Sequence, residues 1–81
     1  MAREVTVYGT SSCPWCEVTR EFLRNHSIPF QDLNVEEDEE AAKEMFRKSG
    51  GFLVPVIDID GTIIVGFKRK KLSEALGLES E

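Results

Sequence analysis

The stretch that most constrains this chain is Cys13-Pro14-Trp15-Cys16, which contains both of its cysteines and sits directly behind a β-rich run. Pro14 marks a helix start, because proline lacks the backbone N–H that the first helical position leaves unused and has a φ already near the helical value. Cys13 is then the N-cap and Cys16 lies one turn further in, so that closing the first turn brings the two sulfurs together. The amides of Trp15 and Cys16 are among the unpaired donors of that turn and point towards the Cys13 sulfur. Its thiolate is therefore expected to be stabilised, since a free thiol of pKa about 8.5 falls to roughly 3.5 to 7.5 at helix N-termini and in Cys-X-X-Cys motifs. Cys13 reads as the attacking sulfur and Cys16, deeper and less accessible, as the resolving one.

Three other uses of the pair compete with this reading. A structural disulfide closing so small a loop contributes only about 2 kcal/mol on the chain-entropy model, against about 3 for a 15-residue loop. A zinc site wants four ligands, and the only other soft donor is His26, so one chain cannot complete it. A chance Cys-X-X-Cys remains until a strand before it and a helix after it are found.

The 81 residues, 41% of them hydrophobic, have room for one core and hence one domain, 1–81. There is no charged start followed by an apolar run and no apolar stretch of about 18 residues, which predicts neither a signal peptide nor a membrane span. The expected compartment is the cytoplasm, where a lone cysteine pair is catalytic or metal-binding rather than structural. A formal charge of −5 argues against nucleic acid as a partner, because phosphate binding needs a basic face. Two charge blocks stand out, Glu36 to Glu40 and Lys68 to Lys71, and each is most simply a solvated helix end.

Along the chain, Glu4 to Tyr8 reads as a strand that runs into the Gly9-Thr10-Ser11-Ser12 loop. Pro14 to about Asn25 carries Val18, Phe22 and, at the flank, Leu23 at helical spacing, with Glu17, Arg20, Glu21 and Arg24 facing water. His26 beyond it is a helix-end residue. Phe30 to Asn34, with Pro29 at the entrance, is a strand expected at the sheet edge. A second helix, about Glu37 to Ser49, has Ala41, Ala42, Met45 and Phe46 as its apolar stripe and ends at Gly50-Gly51, with acids first and Arg47 and Lys48 last, as the helix dipole favours. Pro55 to Ile59, Asp60-Gly61 and Thr62 to Val65 form a tight hairpin. Leu72, Ala75 and Leu76 face the core from a last short helix capped by Gly77, and the tail from Leu78 to Glu81 is expected to fray.

The order is β-α-β-α-β-β-α, with the first two strands parallel through a right-handed crossover and the hairpin adding two antiparallel strands. The chain is thus α/β, a mixed four-stranded sheet flanked by three helices. If the strand from Pro55 lies antiparallel to the first strand, Val54, Pro55 and the Gly66 loop, with Phe67 and Lys68, all arrive beside Cys13. Tyr8, at the end of the first strand, either borders that site or packs.

The strand, the cysteine helix start, Val54-Pro55-Val56, the Asp60-Gly61 hairpin and the Gly66-Phe67 turn together resemble the thioredoxin fold in its short glutaredoxin form, over Val5 to Leu76. Within it, the sequence is most similar to the small glutaredoxin-like proteins that include the NrdH redoxins, electron donors of ribonucleotide reductase, and the YruB-type proteins. The resemblance implies a monomeric dithiol–disulfide oxidoreductase that carries electrons to protein disulfides. Its redox centre would be a Cys13–Cys16 disulfide, with no bound cofactor or metal. Pro55 would be a cis-proline facing the cysteines, the Val54 backbone would pair with a bound peptide, and Pro14, Trp15, Gly66, Phe67, Lys68 and Arg69 would border the partner.

Two departures bear on the reductant. Glutaredoxins that use glutathione commonly have a lysine three residues before the first cysteine and Gly-Gly followed by Asp after the last strand. This chain has Thr10 at the first place and Gly66-Phe67-Lys68-Arg69 at the second, which is similar to the NrdH type and favours a flavoprotein reductase of the thioredoxin-reductase type over glutathione. The alternatives are a glutathione-dependent glutaredoxin and a non-catalytic carrier in which two chains share an iron–sulfur cluster through Cys13.

Overall fold

The computed structural model describes residues 4–78. The elements follow the expected order: β1 (Val5–Gly9), α1 (Pro14–Asn25), β2 (Gln31–Asn34), α2 (Glu39–Ser49), β3 (Val56–Ile59), β4 (Thr62–Val65) and α3 (Arg69–Leu76). The sheet order is β2-β1-β3-β4, with β1 parallel to β2 and antiparallel to β3, so the predicted edge position of β2 and the mixed sheet are both observed.

Each strand face carries its own core. Val5, Val7, Ile57 and Ile59 point to the side covered by α1 and α3, where they meet Phe22, Leu23, Leu72 and Leu76. Tyr8 and Val56 point to the other side, against Ala41 and Met45 of α2. This alternation is the period-2 consequence of the strand pleat. Tyr8 packs rather than bordering the site: its hydroxyl donates to Glu44 and accepts from Lys48, which also pairs with Asp58.

The hairpin forms as the sequence requires. Asp60 and Gly61 both have positive φ, 52° and 96°, the backbone of a two-residue turn whose twist matches its strands. The Asp58 carboxylate accepts from the Gly61 amide at 2.8 Å. Gly50 and Gly77 close α2 and α3 in the left-handed conformation. Of the tail expected to fray, Leu78 is tied by its amide to the Ser73 carbonyl, and residues 79–81 lie outside the described residues.

Three expectations are corrected. The second helix begins at Glu39, because Asp38 accepts from the amides of Glu40 and Ala41 and so acts as N-cap, while Glu37 belongs to the turn closed on Asn34. Phe46 is not a core residue but is half exposed, stacked on Phe52 at 4.9 Å between ring centroids. On α1 the polarity is inverted around the middle turn: Val18 is exposed, whereas Thr19 and Arg20 are buried.

Candidate active site

The site is assembled where β1 ends and α1 begins. Pro14 occupies the first helical position and Cys13 is the N-cap, with an extended backbone at φ −93° and ψ 114°. The Cys16 amide donates to Cys13 Sγ at 3.1 Å, so one of the free donors of the first turn is aimed at that sulfur. Cys13 is half-buried, Cys16 has no exposed surface, and both are free thiols. Burial first, and then the neighbouring Cys13, push the Cys16 thiol up to about 11, against a backbone hydrogen bond from Thr10 and the charge of Arg20, which act the other way. The two sulfurs are therefore unequal: one at the surface with an amide donor, the other a protonated thiol behind it.

Cys16 is seated on glycine. A Cβ at Gly9 would lie 2.7 Å from Cys16 Sγ, closer than real Cβ contacts come, and a tight 3.2 Å from its Cβ. Gly9 ends the central strand, and its carbonyl accepts from the Val35 amide, so the strand cannot simply move aside. Here glycine serves close approach rather than an unusual φ.

Pro55 precedes β3, is fully buried, and follows a cis peptide bond from Val54, as the resemblance implies. Its carbonyl accepts from the Gly66 amide at 2.7 Å, which ties the end of β4 to the start of β3. Phe67, next in the chain, stacks on Trp15 with centroids 5.9 Å apart and planes at 17°, and meets Phe22 edge-on at 5.8 Å. Trp15 is nonetheless 59% exposed, so the aromatic pair forms an apolar shelf beside Cys13. Val54 is half-buried and packs towards the α2 side. Lys68 is the N-cap of α3, without a side-chain capping bond, and its ammonium donates to the Val65 carbonyl; Arg69 is exposed at the first turn. Cys13, Cys16, Trp15, Pro55, Gly66 and Phe67 are thus linked through α1, β3 and β4, while Lys68 and Arg69 stand on the rim.

Sequence reasoning missed Gly9 and Arg20. Gly9 carried a signal, a glycine at a strand end just before the motif, whose meaning depends on the burial of Cys16. Arg20 carried none, since two of the three groups that hold it, the Thr10 carbonyl and Asp32, lie outside its own helix. Its guanidinium donates to the Thr10 carbonyl at 3.0 Å and to Glu17 at 3.1 Å. Its Nε lies 2.9 Å from Asp32 Oδ2 on β2, close enough for charge pairing although that N–H is not aimed along the contact. Burial works against the guanidinium's charge, but Asp32 and then Glu17 outweigh it and hold the proton more firmly.

Paired thiols at the first turn of α1, on a mixed sheet of this order, define the class of thioredoxin-fold proteins that exchange thiols and disulfides. The glutaredoxin family model matches residues 5–64, and the chain belongs to that family of thiol–disulfide oxidoreductases. It is 42% identical over 72 residues to a glutaredoxin-like 8.6 kDa protein of the rubredoxin operon of Clostridium pasteurianum, covering 89% of this chain and 96% of that one. To the glutaredoxin-like protein NrdH of Lactococcus lactis it is 30% identical, over 86% of this chain and 96% of the relative. The solved structure of the glutaredoxin-like NrdH-redoxin of Escherichia coli, described as having a thioredoxin-like activity profile, superposes with a TM-score of 0.79 at 25% identity, over 88% of this chain and 92% of that one. Among the described residues no helix is long and apolar enough to cross a membrane.

Proposed function

We propose that the protein is a dithiol electron carrier that reduces protein disulfides through Cys13 and Cys16. The observation that carries this reading is the inequality of the two sulfurs, with the Cys16 amide donating to a half-buried Cys13 and the Cys16 thiol buried beneath it. The Cys13 thiolate attacks one sulfur of the substrate disulfide, forming a mixed disulfide and releasing the other sulfur as a thiolate. Cys16, having lost its proton, then attacks Cys13, displacing the second substrate sulfur and leaving the Cys13–Cys16 disulfide. Two electrons pass to the substrate, and its two thiolates take up protons. The cysteine pair is the whole redox centre in this reading, with no bound cofactor or metal.

The substrate is taken at the Val54–Pro55 edge and on the Trp15–Phe67 shelf, and a ribonucleotide reductase is the first protein substrate to try. The reductant we propose is a flavoprotein of the thioredoxin-reductase type. Thr10 offers no charge for a glutathione carboxylate, and each missing charge-assisted contact costs about 1.5 to 3 kcal/mol, or roughly one to two orders of magnitude in affinity. An aromatic shelf with a basic rim suits a protein partner, in which such anchors dominate binding. The kinship with NrdH proteins supports the same choice. The test is to oxidise the pair and compare its re-reduction by NADPH with thioredoxin reductase and by glutathione with glutathione reductase. Faster recovery with the first is expected, and clearly faster recovery with glutathione would overturn it.

A further inference from the structure

Arg20 is a buried cation that the two-sulfur chemistry leaves unused. It lies one helical turn beyond Cys16, with only 8% of its surface exposed, and three groups fix its guanidinium: the Thr10 carbonyl, Glu17 and Asp32. Each of these belongs to a different part of the fold, namely the loop before Cys13, α1 itself and the edge strand β2. One of its terminal nitrogens also lies 3.5 Å from where a Gly9 Cβ would stand, the same point that is 2.7 Å from Cys16 Sγ. The guanidinium and the resolving sulfur thus flank the same point over Gly9, and the guanidinium is tied to the next carbonyl of that backbone, Thr10.

We propose that Arg20 is the positioning residue of the resolving step, holding the Gly9–Thr10 backbone against Cys16 and keeping a fixed positive charge beside its sulfur. This inference rests on the dithiol reading above. In the mixed disulfide, Cys16 must give up its proton and attack Cys13 Sγ, so that the Cys13–substrate bond breaks as the Cys13–Cys16 bond forms and the departing substrate sulfur carries the negative charge away. Negative charge therefore appears briefly on a sulfur removed from water, where burial opposes it most. Cys13 and Arg20, on its own helix, are the ionisable groups that bear on that sulfur; β1 contributes the Gly9 and Thr10 backbone, and Asp32 of β2 and Glu17 act on it through the guanidinium. Once Cys13 is capped by substrate, its opposition is gone and Arg20 is the remaining charge.

The test separates the two steps with Ellman's disulfide as probe. The first thionitrobenzoate released reports attack by Cys13, and the second, unimolecular, reports resolution by Cys16. Two releases from the native protein are expected; a single release would refute the dithiol reading itself, and this inference with it. In Arg20→Gln, the first release keeps its rate and the second slows by roughly tenfold, since an adjacent cation shifts a thiol by about one to three pKa units and lower basicity gives back about half of that in nucleophilicity. The pH midpoint of the second release moves upward in this variant, and Arg20→Lys, which keeps the charge, restores most of the rate. An unchanged second release, an unshifted pH midpoint, or equal slowing of both releases would each overturn the proposal. Arg20→Lys is the readout that survives if the glutamine variant fails to fold, because a fixed charge predicts a near-native pH midpoint there and its displacement would refute the proposal.

Discussion

Gly9 and Cys16 approach so closely that a single methyl group on Gly9 would stand 2.7 Å from the Cys16 sulfur. The strand end and the buried sulfur thus share one van der Waals boundary, and Cys16 is positioned by the absence of a side chain. Gly9→Ala is expected to overpack this contact and destabilise the protein by about 1 to 3 kcal/mol. Thermal unfolding of the reduced protein checks this, and an unchanged midpoint would show that the boundary yields.

The unequal sulfurs predict unequal labelling. At neutral pH, brief treatment with iodoacetamide should alkylate Cys13 and spare Cys16, because the thiolate is the nucleophile and the buried thiol stays protonated. Peptide mapping reads the outcome. By the same logic Cys13→Ser abolishes disulfide reduction, while Cys16→Ser still attacks and accumulates the mixed disulfide, visible as added mass. Preferential labelling of Cys16 would reverse the assigned roles.

The raised Cys16 thiol makes the stability of the reduced form depend on pH. Its value moves from the ordinary 9.0 in the unfolded chain up to about 11 in the folded one. Between these values the folded state holds the proton that the unfolded state has lost, so stability is fully present below pH 9 and declines as pH rises towards 11. The loss is about 3 kcal/mol. The oxidised protein has no such proton, so its unfolding midpoint should fall less over the same range; parallel curves for the two redox states would contradict the assignment.

The Trp15–Phe67 stack is exposed enough that its loss should matter more to partners than to folding. Trp15→Ala is expected to cost about 1 kcal/mol or less in stability. It should slow reduction of a protein disulfide by roughly one order of magnitude while sparing a small disulfide. Steady-state kinetics with the two substrates side by side distinguish this from a general loss of activity, which would slow both.

What was legible in the chain was what short-range chemistry determines. Pro14 after Cys13, Asp60-Gly61 between two β-rich runs, and glycines 50 and 77 each constrain their own backbone, and each appears where expected. Strand direction alone was enough to expect Pro55, Gly66 and Phe67 at one end of the sheet, where the Gly66 amide meets the Pro55 carbonyl and Phe67 stacks on Trp15. Helix α1 was misjudged because helical spacing assigns Arg20 to water by its charge, whereas Asp32, twelve residues on, and the Thr10 carbonyl give that charge an interior address. Val18 and Phe46 erred in the opposite direction: each satisfies the apolar pattern, yet each lies at the margin of its helix face and stays exposed. Gly9 could be read as a turn residue but not as the floor under a sulfur, since that depends on how deeply α1 seats against β1.

The clasp between Arg20 and Asp32 also bears on how the molecule coexists with others. β2 is an edge strand of four residues, and an edge is where free backbone groups invite a neighbouring chain to add itself and begin a growing aggregate. Here an intruding strand would meet a carboxylate already claimed by a guanidinium anchored in α1. Brevity and a tethered charge together make that flank a poor template, so the interaction that positions the cysteine loop doubles as a safeguard of colloidal stability.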